Sequence, residues 1–159
     1  MPAIFGVDTR ALTKGLRERG SILGRLEVEG APPSPPSEVG FVDPNLRNLV
    51  AEVSTKSIRT YNQGGDKPTI VAIDCGMKHN ILRRLLAHEP PMEIVVVRYN
   101  DTLADNPTLL DGLGGIFVSN GPGDPQDVQP AIDTLQWAMR QEPAIPLFGI
   151  CLGHQLLAR

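Results

Sequence analysis

The pattern of apolar and polar positions divides the chain into two stretches of different texture. From Pro68 onward, short runs rich in β-branched residues alternate with stretches whose apolar positions recur every three or four residues. Thr69–Asp74 reads as a buried strand, and Glu93–Val97, Gly115–Asn120 and Pro146–Ile150 read as further strands. Lys78–His88 reads as a helix with Ile81, Leu82, Leu85 and Leu86 on one face, and Asp127–Gln141 as another. Strands alternating with helices and bounded by turn signals predict βαβ units on a parallel sheet. Ligands of such sheets bind at the carboxyl ends of the strands, so the loops after Asp74, Asn120 and Ile150 are expected to converge on one edge.

Before Pro68 the pattern is looser. Asp8–Gly20 has a capping residue (Asp8 or Thr9), Leu12 and Leu16 on one face, and a glycine stop at Gly20, which together predict a helix. Ile22–Val28 suggests a strand. Ala31–Ser37 carries Pro32, Pro33, Pro35 and Pro36 and reads as a stiff extended loop. A short helix is expected within Asn45–Thr55, through Leu46, Leu49, Val50 and Val53. The polar, glycine-rich stretch Asn62–Pro68 is the expected boundary, giving a small N-terminal region over 1–62, a linker over 63–68 and the α/β region over 69–159.

Composition narrows the function classes. The 159 residues are 41% hydrophobic and 21% charged with a net charge of −3, enough apolar content for a packed core. Lysines and arginines form no stripe, which disfavours nucleic acid or an anionic membrane as the main partner. No run approaches the roughly 18 apolar residues of a membrane span, and Met1–Phe5 resembles neither a signal nor a transit peptide. Cys75 and Cys151 are far apart and not in C-x-x-C spacing, which argues against a disulfide scaffold or a zinc site and for a reducing, cytoplasmic setting.

The chemistry concentrates in Leu147–Leu157. An apolar strand runs into Cys151, glycines stand two positions before and after it, and an apolar helix follows. This is the sequence form of a nucleophile elbow, in which Gly149 and Gly153 allow a close approach that a Cβ would obstruct. A thiol above a helix N-terminus is favoured as thiolate, its reactive form. The alternative for such a residue is an inert buried cysteine. The second loop, Ser119–Pro125, packs two glycines and two prolines at a strand end, where bare backbone N–H groups can meet a substrate or a developing oxyanion. It lacks both the Walker lysine and the dinucleotide-fingerprint spacing. A nucleophilic cysteine also needs a base, and none of His79, His88 and His154 is well placed: His154 lies on the elbow helix, and the other two bound the helix after the first strand. Cys75 reads as structural, and Trp137 as packed on a helix face.

On these residues the chain resembles the class I (triad-type) glutamine amidotransferases, in particular the glutaminase, or small-subunit, portion of glutamine-dependent carbamoyl-phosphate synthetase. Ser119–Pro125 and Phe148–Gln155 match the two signature loops. Asp74–Asn80 is similar to the segment that opens the amidotransferase domain, and Gly6–Thr13 and Gly20–Leu26 are similar to the family's small N-terminal domain. Val42–Asn45 and Leu49–Ser54 look most like the fused, multidomain forms. The resemblance implies a partial doubly wound, mostly parallel sheet preceded by part of a small N-terminal α/β domain. It implies Cys151 as nucleophile on the glutamine side-chain amide, the N–H groups of Leu152 and Gly121 as the oxyanion hole, and Gly123 and Gln155 as glutamine contacts. The partner implied is a synthetase large subunit or fused synthetase domains, which use ATP and magnesium to make carbamoyl phosphate for arginine or pyrimidine synthesis. No cofactor or metal is implied in this chain, and a mitochondrial location is implied where a transit peptide is present.

The family's triad histidine and glutamate lie downstream of the elbow and find no match in these residues, and much of its N-terminal domain would precede Met1. The chain therefore reads as a fragment, expected to be at most weakly glutaminolytic alone. Members without the nucleophile use free ammonia, and this chain retains Cys151. A non-catalytic synthetase-binding module and another Cys-elbow hydrolase remain the alternatives.

Overall fold

Five strands form one sheet in the order β1-β3-β2-β4-β5 in the computed structural model, which describes residues 3–20, 22–24, 29–30, 40–110 and 112–159. The strands are β1 (Arg59–Tyr61), β2 (Thr69–Asp74), β3 (Glu93–Arg98), β4 (Leu113–Val118) and β5 (Leu147–Gly149). The helices are α1 (Thr9–Arg19), α2 (Leu49–Val53), α3 (His79–Leu86), α4 (Gln129–Met139) and α5 (Leu152–Leu157). β2 pairs in parallel with β3 and β4, and β4 with β5; β1 alone runs antiparallel, against β3. The expected mostly parallel α/β sheet is therefore present.

The chain separates into two compact units, Met1–Asp43 and Pro44–Arg159. The division falls ahead of the expected linker at 63–68, for a physical reason. Val50 of α2 is buried in the main core of the second unit, and β1 is bonded into its sheet, so residues 44–62 fold with the sheet rather than apart from it. Within the first unit, α1 is capped by Asp8, whose carboxylate accepts from Ala11 N–H at 2.9 Å, and it ends at Gly20 with φ +76°. Residues 22–24 lie in no strand, and the rest of the expected strand, with the proline loop over 31–37, falls outside the described residues.

Period-two alternation sorts the sheet's side chains onto two faces. Val71, Ile73, Val95, Val97, Ile116 and Val118 point into the larger core, which α2, α4 and α5 cover with Val50, Ile132, Leu135, Leu152 and Leu156. Ala72, Ile94, Val96 and Phe117 face the other way, against Ile81, Leu82, Leu85 and Leu86 of α3. Trp137 packs half-buried on the larger core, as its place on α4 suggested. β2 leads through α3 to β3 on one side, and β3 then returns to β4 on the other side of β2. The crevice between the ends of β2 and β4 is thus a topological switch point, the place where doubly wound sheets bind ligands.

Candidate active site

Three loops meet at that crevice, each held by bonds that its own sequence supplies. The first follows β2. The Asp74 carboxylate accepts from Gly76 N–H at 2.8 Å and Met77 N–H at 2.7 Å, folding the chain back, and from Thr55 N–H at 2.9 Å, tying in the segment after α2. Gly76 sits at φ +118°, a region that favours glycine, and a Cβ there would stand 2.8 Å from Val53 Cγ2.

The second loop, Ser119–Pro125, follows β4. Ser119 is fully buried, and its hydroxyl accepts from Cys75 N–H at 2.9 Å and donates to Asn120 C=O at 2.7 Å. Asn120 reaches back to the first loop, donating to Gly76 C=O at 3.2 Å and accepting from Lys78 N–H at 3.3 Å. Gly121 lies so close to the first loop that a Cβ would stand 2.2 Å from Cys75 O and 2.7 Å from Leu152 Cδ2. That second distance brings the loop against the first residue of α5. Gly123 follows at φ +83°, beside Leu49.

The third loop is the elbow. Ile150 N–H donates to Val118 C=O at 3.1 Å, carrying the β4–β5 ladder to the turn. Cys151 then takes φ +53° and ψ −110°, an unusual conformation for a residue with a Cβ, and α5 begins at Leu152. A Cβ at Gly149 would stand 2.5 Å from Gly153 C and O, and one at Gly153 would stand 2.3 Å from Val118 O. Both positions are therefore closed to any side chain, because strand and helix cross there in backbone contact. Gly153 N–H donates to Ile150 C=O at 3.0 Å and Ser119 C=O at 3.2 Å, which locks α5 to the β4 loop.

Cys151 is thus lifted out of the fold and exposed. The Leu152 N–H, at the first position of α5, and the Gly121 N–H make no hydrogen bond to another group among the described residues. Two backbone donors on loops in contact, beside a thiol, can stabilise an oxygen that gains charge as the thiol attacks a carbonyl carbon. Gln155 and His154 lie exposed on α5, and Gln155 N–H donates to Cys151 C=O at 3.1 Å. Of the sites expected from sequence, Gly121 and Gly123 lie on the β4 loop, Cys151 at the elbow, and Leu152 and Gln155 on α5, with Leu152 against Gly121. No histidine among the described residues hydrogen-bonds Cys151, and His88 Nδ1 is instead 3.0 Å from Pro90 O. Cys75 has the opposite environment: it is wholly buried, and desolvation, with the nearby Asp74 carboxylate, pushes its thiol up to about 12.

Sequence reasoning passed over Asp74, Ser119 and Asn120 as site residues. The available signal was a polar residue at the end of an apolar strand, on the edge where the loops were expected to meet. Among the described residues no cluster of His, Cys, Asp or Glu could hold a metal ion, and no helix is long and apolar enough to cross a membrane.

Comparison with known proteins agrees with this geometry. The chain is 42% identical over 160 residues to the multifunctional protein CAD of Squalus acanthias, covering 99% of this chain and 7% of that protein. It is 40% identical over 155 residues to the mitochondrial carbamoyl-phosphate synthase [ammonia] of Homo sapiens, covering 97% of this chain and 9% of that one. It is 42% identical over 158 residues to the carbamoyl phosphate synthase arginine-specific small chain of Neurospora crassa, covering 99% and 33%. The chain thus spans about a third of that small chain and less than a tenth of the two longer relatives. The model of the glutamine amidotransferase class-I family matches residues 71–159, which hold the parallel sheet and all three loops. The chain belongs to the class I glutamine amidotransferase family.

Proposed function

We propose that these residues form part of the glutaminase of a glutamine-hydrolysing carbamoyl-phosphate synthase, with Cys151 as nucleophile. The observation that carries this reading is the elbow: an exposed thiol on a left-handed backbone, with the N–H groups of Leu152 and Gly121, unbonded among the described residues, on residues that touch. Cys151 Sγ attacks the side-chain amide carbon of L-glutamine, and the amide oxygen gains charge between those two N–H groups. Collapse expels ammonia and leaves a γ-glutamyl thioester, which water cleaves to glutamate. Gly123 and Gln155 contact the bound glutamine. The base that takes the thiol proton and delivers one to the leaving nitrogen comes from outside the described residues, as the family resemblance implies. The glutaminase step uses no metal or cofactor from this chain; ATP and magnesium act in the synthetase component, large subunit or fused domain, which receives the ammonia. The names of the relatives support this partner and span arginine-specific, multifunctional and mitochondrial forms. The exposed free thiol fits a reducing compartment, cytoplasmic or mitochondrial.

A chloroketone analogue of glutamine tests the assignment. It should label Cys151 in the intact protein, glutamine should block the labelling, and C151A should abolish both labelling and glutamine hydrolysis. Labelling that glutamine leaves unaffected would refute a glutamine site. The 159 residues alone should turn over glutamine well below about 1 s⁻¹, the low end of ordinary enzyme rates.

A further inference from the structure

We propose that Ser119 is a positioning residue for the oxyanion hole, acting through the peptide that joins Asn120 to Gly121. The inference rests on the reading of Cys151 as the nucleophile on glutamine, and adds to it a side chain that touches neither thiol nor substrate. The Ser119 hydroxyl has one proton, and the structure shows where it goes. Its oxygen is already the acceptor for Cys75 N–H at 2.9 Å, and its proton is donated to Asn120 C=O at 2.7 Å. The Asn120–Gly121 peptide is trans, so its carbonyl and its N–H point in opposite directions within one rigid plane. Gripping the carbonyl therefore fixes the direction of the Gly121 N–H.

The same bond also strengthens the donor. A carbonyl that accepts a hydrogen bond shifts electron density along the peptide and leaves its N–H more positive, and chained bonds in a buried setting reinforce one another. Here the chain runs from Cys75 N–H to Ser119 O–H to the 120–121 peptide, and it is wholly buried at Ser119. The backbone of Ser119 serves the other half of the hole, since its C=O accepts from Gly153 N–H, next to the Leu152 donor. One residue thus references both donors to the end of β4. Asn120 does not duplicate the hydroxyl's work, because its side chain bonds Gly76 and Lys78 and so anchors the loop as a body.

The test uses the intact protein with its synthetase component present and three readouts. These are glutamine hydrolysis, inhibition by glutamate γ-semialdehyde, and alkylation of Cys151 by iodoacetamide. The aldehyde reports on the hole: thiolate adds to its carbonyl carbon, the π pair moves to oxygen, and that oxyanion needs the two N–H groups. Iodoacetamide reports on the thiol alone, since the thiolate displaces iodide from carbon without forming an oxyanion. S119A should lower kcat by about 10- to 100-fold, below the roughly 10²–10³ of losing a donor outright. KM should stay within about threefold, aldehyde affinity should fall in parallel with kcat, and the iodoacetamide rate should be unchanged. The pair S119T and S119V, alike in shape and different in the hydroxyl, removes the ambiguity of a poorly folded alanine variant. S119V should fall at least about tenfold below S119T in kcat. Equal rates for that pair, or a fall in kcat matched by the iodoacetamide rate, would overturn the proposal. A wild-type protein that fails to hydrolyse glutamine would instead overturn the reading beneath it.

Discussion

Cys75 and Cys151 occupy similar places in the chain. Each comes just past a strand of the same sheet and leads into a helix, at the same carboxyl edge. Their surroundings are nonetheless opposite. After β2, the left-handed turn is taken by Gly76 at φ +118°, and Cys75 before it is wholly buried in the core. After β5, the cysteine itself takes the left-handed turn at φ +53°, which throws its side chain outward. In both cases the positive φ falls two residues past the strand; the cysteine stands one residue before it after β2 and on it after β5. Strand position alone does not expose a cysteine; bearing the turn does.

The largest consequence is kinetic. In the folded protein iodoacetamide should modify Cys151 at least about 10³-fold faster than Cys75, because Cys75 reacts only from open states populated at about 10⁻³ or less. Peptide mass spectrometry over a time course reads both sites at once, and comparable rates would erase the distinction between them. A smaller effect concerns pH. Burial raises the Cys75 thiol from an ordinary 9.0 to about 12, so its contribution is fully present below pH 9 and is lost as the pH climbs toward the folded-state value. Between pH 9 and 10.5 the wild type should lose roughly 1–2 kcal/mol more stability than Cys75→Ala, by linkage over that interval. Denaturant unfolding at the two pH values measures this, and parallel losses would place the thiol in water. The smallest effect is at the elbow. Cys151→Gly should raise unfolding stability by about 1 kcal/mol, as relief of left-handed strain of about 1–3 kcal/mol exceeds the entropy glycine adds to the unfolded chain. Destabilisation would show that the turn carries no strain.

Much of the fold was legible because its signals are local. The apolar runs at Thr69–Asp74 and Glu93–Val97 and the helical face at Ile81–Leu86 report burial directly, and all three became the expected elements. β1 was missed because Arg-Thr-Tyr at an antiparallel edge is short and largely exposed, and what makes it a strand is its pairing to Ile94–Val96, more than thirty residues away. The division into compact units at 43/44 differs from the expected linker for a similar reason. Asn62–Pro68 carries turn residues as a linker would, while the long-range burial of Val50 that ties 44–62 to the sheet leaves only a faint local trace. At the site, Gly149 and Gly153 were readable because their spacing around Cys151 is itself the constraint. The bond between Cys75 N–H and the Ser119 hydroxyl was not readable, since its two residues lie in loops brought together only by the pairing of β2 with β4.

The positive φ of Cys151 has an evolutionary side. Under the proposed glutaminase role, selection for a longer-lived fold and selection for turnover pull in opposite directions at this one dihedral. The residue most comfortable in the turn is glycine, and it is also the residue that abolishes the thiol. A lineage supplied with ammonia from elsewhere would find the loss of this cysteine downhill. A lineage whose thiol has work to do is expected to keep the cysteine against that slope.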